Sequence, residues 1–211
     1  MAGLHMQVDK RAVLDAALPA KSVLDFGGGK QASYAQYCQN LGCPEVTIID
    51  CDPSQIDRSQ FDVPAMSRNF EEDDLTGLHA DLGLMFDVLL YQLGPLRTLR
   101  RCLACVDRVC VAQPVLVPGI APPMHAIFLQ TVKDQETQDR LRPTLEGRPS
   151  QLIFYFPQSY NYMCWLWGLG ADLISAWIER EGFVIREQQT NPLCFGEAWE
   201  WWACYAERMP A

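Results

Sequence analysis

Three consecutive glycines, Gly27 to Gly29, stand between a short apolar run and a stretch with helical spacing. Glycine lets the backbone approach a ligand closely, and the free N–H groups at the start of a helix favour an anionic or polar ligand. One predicted helix further along the chain, a β-branched apolar run ends at Asp50. A carboxylate at the end of that strand can accept hydrogen bonds from both hydroxyls of a ribose. Together, these two features predict an α/β domain that binds a nucleotide.

Apolar runs typical of strands alternate with amphipathic stretches typical of helices through the first half of the chain. The predicted strands span residues 22–26, 46–49, 65–70, 86–91 and 109–115, and the predicted helices span residues 8–18, 31–41 and 96–106. This alternation indicates a parallel sheet with helices on both faces. After a predicted helix at 172–181, two strands at 183–188 and 198–206 follow without a helix between them, so they should pair antiparallel. The expected fold is therefore a doubly wound, mostly parallel seven-stranded sheet with an antiparallel C-terminal hairpin.

Between residues 117 and 167 the alternation breaks down around a predicted helix at 127–141. Prolines interrupt this segment at Pro118, Pro122, Pro123, Pro143, Pro149 and Pro157. We expect residues 1–211 to form a single domain, in which 117–167 is an inserted cap between the fifth and sixth strands. Such a cap would overhang the carboxyl ends of the strands and bind the substrate.

Charge and cysteine usage limit the partners and the compartment. The chain has 17 basic and 26 acidic residues, which disfavours nucleic acid and anionic membranes because phosphate binding needs a basic surface. No apolar stretch approaches the ~20 residues of a membrane span, and residues 1–10 lack a secretory-type apolar run. The 9 cysteines are odd in number and mostly lie singly in apolar runs, which is typical of reduced thiols. We expect a cytoplasmic protein.

Two nucleotide classes suit the glycine turn. Gly27, Gly29 and Ala32 match the G-x-G-x-x-A pattern of dinucleotide-binding folds, which leaves an NAD-dependent enzyme as one alternative. Three features favour S-adenosylmethionine. First, Asp25 stands where an acid can hold the ammonium of a methionine-like ligand through water. Second, the chain is short for a Rossmann domain plus a substrate domain. Third, the C-terminal pattern predicts an antiparallel hairpin rather than a sixth parallel strand.

The sequence resembles the class I (Rossmann-like) S-adenosylmethionine-dependent methyltransferases in residues 23–29 and 47–53, which read VLDFGGG and TIIDCDP. Residues 86–90 resemble the fourth strand of that family, and residues 173–184 its last helix and the strand that follows. The resemblance implies S-adenosylmethionine as the cofactor. It also implies methyl transfer as the activity.

The resemblance further implies a set of cofactor-binding positions. Asp25, Gly27, Gly28 and Gly29 would flank the methionine part of the cofactor. Asp50 would bind the ribose and Cys51 would pack against adenine. Asn69, Phe70 or Glu71 would lie near the adenine edge, and Tyr91, Gln92 and Leu93 would line the space between cofactor and acceptor.

One position departs from the family pattern, because Gln31 stands where a third glycine is usual. A side chain there crowds the helix against the first strand or points into the cofactor pocket. Two alternatives therefore stay open beside methyl transfer. One is an enzyme of the same fold that binds the cofactor without transferring methyl, such as a cyclase or eliminase, and the other is a non-catalytic partner subunit.

Two cap residues are candidates for the chemistry on the acceptor. His125 follows a Pro-Pro pair, and a near-neutral imidazole there could deprotonate a hydroxyl or an amine. Tyr160 lies among aromatic residues that suggest a pocket wall, and packing within the cap is the competing interpretation for both. We expect an O or N nucleophile on a small-molecule acceptor, in bacterial secondary or polysaccharide metabolism. The tryptophan-rich C-terminal hairpin could bury a homodimer interface.

No metal site is predicted. Cys102 and Cys105 have zinc-type spacing, but no second Cys or His pair follows at a suitable distance. The segment that begins at Asp50 opens like a calcium loop, yet its sixth and twelfth positions are Gln55 and Phe61 rather than Gly and Glu.

Overall fold

The computed structural model describes residues 8–29, 32–92, 94–118, 126–129, 166–192 and 199–210. Its strands are β1 Ser22–Phe26, β2 Glu45–Asp50, β3 Ala65–Ser67, β4 Ala80–Phe86, β5 Val106–Leu116, β6 Ala126–Leu129, β7 Leu166–Leu169, β8 Phe183–Pro192 and β9 Trp199–Arg208. Its α-helices are α1 Val8–Ala17, α2 Ser33–Asn40, α3 Pro95–Leu103 and α4 Ala171–Arg180.

Seven of these strands form one sheet in the order β3-β2-β1-β4-β5-β9-β8. β1 pairs in parallel with β2 and β4, and β3 and β5 extend the parallel part on either side. β9 runs antiparallel between β5 and β8. This arrangement confirms the predicted fold class. The strand order reverses between β1 and β4, and in open α/β sheets a ligand binds beyond the carboxyl ends of the strands at such a reversal.

Helices cover both faces of the sheet, and each face has its own apolar core. α1 and α2 pack on one face, around Leu14 and Ile48. α3 and α4 pack on the other, around Phe26 and Ile174. Central strands buried on both faces explain the continuous apolar runs in the sequence. None of the described helices is both long and apolar enough to cross a membrane.

The fourth strand lies earlier in the chain than the sequence pattern predicts. The prediction of a strand at residues 86–91 is wrong, because Ala80–Phe86 is the strand and Leu89–Tyr91 forms a 3₁₀ turn. Gly83 interrupts the apolar pattern of the true strand for a packing reason, since a Cβ there would lie 3.0 Å from Val106 Cγ1. Asp87 then adopts a φ of +57°, which ends the strand.

The ends of the insertion meet at the sheet. Leu116, the last residue of β5, forms an isolated parallel bridge with Gly170, the residue before α4. Within the insertion, β6 and β7 pair antiparallel as a separate two-stranded sheet. The predicted helix at 127–141 is therefore wrong at residues 127–129, and the rest of it lies outside the described residues.

Arg108 of β5 connects three elements at the amino-terminal edge of the sheet. Its Nε and Nη2 donate to the two carboxylate oxygens of Asp81 on β4, at 2.9 and 2.7 Å. Nη1 also donates to the Ala17 carbonyl oxygen at 2.6 Å, and Nη2 to that of Pro19 at 3.0 Å. The side chain is 21% exposed, so this network is largely shielded from water.

We expect Arg108→Met to lower the free energy of unfolding by about 2–3 kcal/mol. Methionine keeps much of the aliphatic packing but removes the Arg108 donor from two carbonyl groups and leaves Asp81 with the Lys21 N–H, at 2.9 Å, and no cation, a loss that is costly where water has little access. Chemical denaturation measures the change. The matched control is Arg186→Met, which breaks an ion pair with Glu207 whose arginine is 52% exposed, and should cost less than about 1 kcal/mol. Equal losses in both variants would contradict a bracing role for Arg108.

Candidate functional site

The glycine turn lies at the reversal of strand order, at the carboxyl end of β1 and beside the ends of β2 and β4. The Gly27 N–H donates to the Ile49 carbonyl oxygen at 2.8 Å, which ties the turn to β2. Gly27 and Gly29 have φ values of +73° and +65°. Residues with a Cβ rarely adopt this left-handed conformation, so the path of the turn depends on glycine.

The turn is crowded on one side and open on the other. A Cβ on Gly27 would lie 2.9 Å from Val88 Cγ2, and a Cβ on Gly28 would lie 2.9 Å from Ile48 Cγ2. At Gly29 the nearest atom among the residues that the structure describes would be the Gly27 carbonyl oxygen, 3.8 Å away. The turn therefore packs against the sheet and presents its backbone, without side chains, on the other side.

Asp50 lies across from the turn, at the end of β2. Its Oδ2 accepts a long hydrogen bond from the Gly29 N–H at 3.4 Å, and its Oδ1 accepts one from the Asp52 N–H at 2.9 Å. The next residue, Cys51, is exposed. Partial burial and the adjacent Asp50 carboxylate raise the pKa of the Cys51 thiol, which therefore remains protonated at neutral pH. A half-buried carboxylate beside a bare backbone turn is suited to bind a hydroxyl-bearing ligand.

Asp25 lies beneath the turn and is 3% exposed. A Cβ on Gly28 would lie 3.0 Å from its Oδ2. Burial, with a smaller contribution from Asp50, raises the pKa of Asp25 to about 7. Lys10 and the backbone N–H of Ala35, in the first turn of α2, oppose that shift. The carboxyl group can therefore lose or gain its proton near neutral pH.

A partly buried ion pair joins α1 to the end of β4. The Lys10 ammonium donates to Asp87 Oδ2. The sequence pattern does not indicate this pair, because its members lie 77 positions apart and Lys10 belongs to a short amphipathic helix. The position of Asp87 could be singled out from the sequence, because an acid that directly follows a strand, like Asp50 at the end of β2, is a candidate site residue.

The loop after β3 is held against the amino-terminal end of α3. Asn69 Oδ1 accepts from the Glu71 N–H at 3.1 Å, and Glu71 Oε1 accepts from the Gly94 N–H at 2.5 Å. The Phe70 ring is buried and packs edge-to-face against Phe26, with ring centroids 5.9 Å apart. It also lies under the glycine turn, 3.7 Å from where a Cβ on Gly27 would be. Phe70 therefore supports the turn from below.

Tyr91 and Gln92 end the 3₁₀ turn after β4, and both are half-buried. The Gln92 side-chain amide donates to the Val88 carbonyl oxygen at 3.3 Å. The Gln92 carbonyl oxygen accepts from Trp167 Nε1 at 2.8 Å. Trp167, which in the sequence is only one of several late aromatic residues, thus links the insertion to the site through β7.

Several predicted positions lie outside the described residues. They are Gln31, Leu93, His125 and Tyr160. The structure therefore groups the glycine turn, Asp25, Asp50, Cys51, Phe70, Tyr91 and Gln92 around the carboxyl ends of β1, β2 and β4. Among the residues that the structure describes, no group of three or more His, Cys, Asp or Glu side chains could hold a metal ion.

No protein-family model matches the sequence, and no curated protein matches it. Similarity appears at the level of structure. The N-terminal domain of EvdMO1 with SAH bound has a TM-score of 0.63 and 13% identity, over 95% of this chain and 79% of that one. Magnesium protoporphyrin IX methyltransferase from Synechocystis PCC 6803 with bound SAH has a TM-score of 0.60 and 15% identity, over 96% and 80%. The 1,6-didemethyltoxoflavin-N1-methyltransferase of Burkholderia thailandensis has a TM-score of 0.59 and 14% identity, over 96% and 79%.

The chain has the fold of the class I methyltransferases. The similarity spans nearly all of the chain, including the antiparallel C-terminal strands that distinguish this fold from dinucleotide-binding sheets with a sixth parallel strand. The predicted Rossmann-like methyltransferase fold is thereby confirmed.

Proposed function

We propose that the protein is an S-adenosylmethionine-dependent methyltransferase that acts on an oxygen or nitrogen of a small-molecule acceptor. The observation that carries this proposal is the bare glycine turn closed against Asp50, with Asp25 beneath it, at the reversal of strand order. The three structural neighbours described above support it, because each was solved with S-adenosylhomocysteine bound.

The described residues fit such a ligand. The Asp50 carboxylate would accept hydrogen bonds from the ribose hydroxyls, and the open side of Gly29 would let the backbone approach the ligand. Asp25 would lie on the side of the methionine ammonium. The bound cofactor supplies an electrophilic methyl group, and the protein's own task is to align the acceptor with it and remove a proton.

The remaining positions around the ends of the strands would shape the ligand's surroundings. Cys51 would pack against adenine and Asn69 would lie at the adenine edge. Phe70, buried beneath Gly27, would act by supporting the turn. Tyr91 and Gln92 would lie between cofactor and acceptor, where Trp167 fixes the backbone of Gln92.

For the acceptor side, we propose that residues 117–167 form the cap and that His125 or Tyr160 assists proton removal. The bridge between Leu116 and Gly170 supports a cap at this place, because it brings both ends of the insertion next to the carboxyl end of β5. An imidazole near neutrality suits a general base at physiological pH.

We further place the acceptor among bacterial natural products or polysaccharides and the protein in the cytoplasm. Neighbours described as acting on small molecules, such as 1,6-didemethyltoxoflavin, support the first point. The cysteines of the described residues are all free, and six of the seven are buried, which supports a reducing compartment.

Isothermal titration with S-adenosylmethionine and S-adenosylhomocysteine tests the proposal directly. We expect the wild-type protein to bind at least one of them more tightly than about 1 mM. Asp50→Ala should weaken binding by roughly 10- to 100-fold, because hydrogen bonds to a charged group contribute about 1.5–3 kcal/mol.

The matched control for this titration is Asp74→Ala. Asp74 is an exposed loop carboxylate that accepts from the Thr76 N–H at 2.8 Å. Its replacement should leave the affinity unchanged. The proposal is wrong if the wild type binds neither compound, or if Asp50→Ala and Asp74→Ala bind equally well.

Turnover should separate the roles of the two cap residues from cofactor binding. We expect His125→Ala or Tyr160→Phe to lower the single-turnover rate with the acceptor by about 10²-fold, the usual effect of removing a proton-transfer group. Cofactor affinity, measured by titration on the same variants, should stay within a few-fold. Unchanged turnover in both variants would mean that neither side chain is the base, and equal loss of cofactor affinity would mean that the cap acts as a structural brace.

A second candidate function rests on Gln31, which stands at the position of the usual third glycine. Such a residue favours a protein of this fold that binds the cofactor without transferring methyl, such as a cyclase, an eliminase or a non-catalytic partner subunit. Mass spectrometry of reactions with candidate acceptors decides between them. S-adenosylhomocysteine as a product supports methyl transfer, whereas an altered substrate beside unchanged cofactor supports the cyclase or eliminase.

A further inference from the structure

A short turn after β3, residues 69–73, keeps its shape through hydrogen bonds of its own. The Asn69 carbonyl oxygen accepts from the N–H groups of Glu72 and Asp73, at 3.0 and 2.7 Å. Asp73 Oδ2 accepts from the Asn69 N–H at 2.8 Å, and Asn69 Oδ1 accepts from the Glu71 N–H at 3.1 Å. The Asn69 side chain is therefore fixed to the turn that it begins, and the turn behaves as one unit.

Two arginines of α3 fix the place where this unit lies. Arg101 Nε donates to the Phe70 carbonyl oxygen at 3.0 Å, and Arg101 Nη2 donates to the Asp73 carbonyl oxygen. Arg97 Nη2 donates to the carbonyl oxygen of Glu71, which lies between these two residues, at 3.1 Å. A guanidinium presents its donors in a rigid planar fork, so Arg101 holds the beginning and the end of the turn at once.

The third arginine of α3 shows that this contact belongs to one face of the helix. The Nε of Arg100 lies 3.5 Å from Oε2 of Glu181, the residue after α4, and its side chain is 70% exposed. Arg101, the next residue, is half-buried. Residues four apart lie on the same side of a helix, which is why Arg97 and Arg101 both reach the turn and Arg100 does not.

The turn lies next to the acid that ends β2. The register of β2 and β3 places Ser67 opposite Asp50, and the Arg68 N–H donates to the Asp50 carbonyl oxygen at 2.9 Å. Asn69 follows directly, so the 69–73 turn begins beside Asp50. If Asp50 binds the ribose of a nucleoside, the base attached to that ribose would lie next to this turn.

We propose that Arg101 is a positioning residue that sets the preference of the site for adenine, because it holds the 69–73 turn where Asn69 meets the edge of the base. This inference rests on the proposed function and adds selection of the base to it. Arg101 acts through the turn, since the two bonds described above go to backbone carbonyl oxygens of the turn. Moving the turn would separate its polar groups from the base, and polar groups left unpaired are a strong source of discrimination between similar ligands.

The experiment compares S-adenosylhomocysteine with S-inosylhomocysteine, in which a carbonyl oxygen replaces the 6-amino group of the base and N1 carries a hydrogen. Competition titration calorimetry measures the weaker of the two. We expect the wild type to prefer S-adenosylhomocysteine by at least about 10-fold, because the change exchanges a donor and an acceptor at the edge of the base. Arg101→Met should weaken the binding of S-adenosylhomocysteine by about 10-fold and leave that of S-inosylhomocysteine within about threefold.

Two further variants separate the position of the turn from folding and from charge. Arg100→Met is the matched control, because it removes the neighbouring guanidinium that faces Glu181, and it should change neither affinity by more than about twofold. Arg101→Lys keeps the positive charge but lacks the planar fork, so it should lose the preference as Arg101→Met does. Thermal denaturation of each variant establishes that it is folded at the temperature of the titration.

The possible outcomes are distinct. If the wild type binds neither probe, the proposed function fails and this inference fails with it. If the wild type binds both probes equally well, the proposed function stands and selection of the base by the turn is overturned. The role of Arg101 is also overturned if Arg101→Met weakens both probes by the same factor, which indicates a purely structural role. Full preference in Arg101→Lys would overturn it as well, because charge alone would then be sufficient.

Discussion

Gly27→Ala is expected to abolish measurable cofactor binding, a loss of more than about 10²-fold, and to lower the free energy of unfolding by about 2–5 kcal/mol. Two effects add at this position. The φ of +73° costs about 1–2 kcal/mol for a residue with a Cβ. The new Cβ would also lie 2.9 Å from Val88 Cγ2, and overpacking of this kind typically costs about 1–3 kcal/mol. Relief of the clash must move the turn, which would displace the backbone that faces the ligand.

Gly77→Ala is the matched control, because Gly77 has a φ of +84° and no atom of the described residues lies within 4 Å of the place that a Cβ would occupy. It should show only the backbone cost, about 1–2 kcal/mol, and unchanged cofactor affinity. Titration calorimetry and chemical denaturation on both variants separate the steric effect from the conformational one. If Gly27→Ala and Gly77→Ala lost the same stability and the same cofactor affinity, the close packing between the turn and Val88 would not matter for either property.

The second large effect concerns pH. Burial raises the pKa of the Asp25 carboxyl group to about 7 from an ordinary value of 3.8. Between about pH 4 and pH 7, the folded state therefore keeps a proton on Asp25 that the unfolded state has already released. The free energy of unfolding should therefore fall as pH rises through this window, by on the order of 4 kcal/mol in total, and stay low above it. Asp25→Asn removes the titrating group, so the difference between variant and wild type should grow from pH 4 to pH 7.

Asp74→Asn provides a control of opposite sign for the pH profile. Hydrogen bonds from Thr76 lower the pKa of Asp74, so its contribution to stability is present above about pH 4 and is lost only in more acidic solution. Urea denaturation at several pH values measures both variants against the wild type. If the free energy of unfolding of the wild type changes with pH in the same way as that of Asp25→Asn between pH 4 and pH 7, then Asp25 does not hold a proton in the folded state over this range.

The sequence was most informative where local chemistry determines the conformation. The glycine turn after β1 and the acid that ends β2 mark their positions by residue type, and these two positions are enough to predict where the candidate site lies. β4 was misplaced because Gly83, required by the bulk of Val106, interrupts its apolar pattern. The apolar residues that follow Asp87 form a 3₁₀ turn instead, because a positive φ at Asp87 redirects the chain.

The charge arrangement around the turn could not be derived from the sequence. The pairing of Lys10 with Asp87 joins an N-terminal helix to the end of a central strand. It depends on tertiary packing against Trp201, which arrives only with the last strand of the sheet. Sequence spacing carries no information on such contacts.

The bridge between Leu116 and Gly170 has a consequence for the diversification of this protein. Because the two ends of the intervening segment lie side by side, its length and sequence can change without altering the register of the main sheet. Closing a longer loop costs little, about 0.6 kcal/mol for each doubling of its length. If this segment binds the acceptor and the glycine turn with Asp50 binds the methyl donor, as proposed, relatives would acquire new acceptors by exchanging the segment as a module while the binding of the methyl donor stays constant.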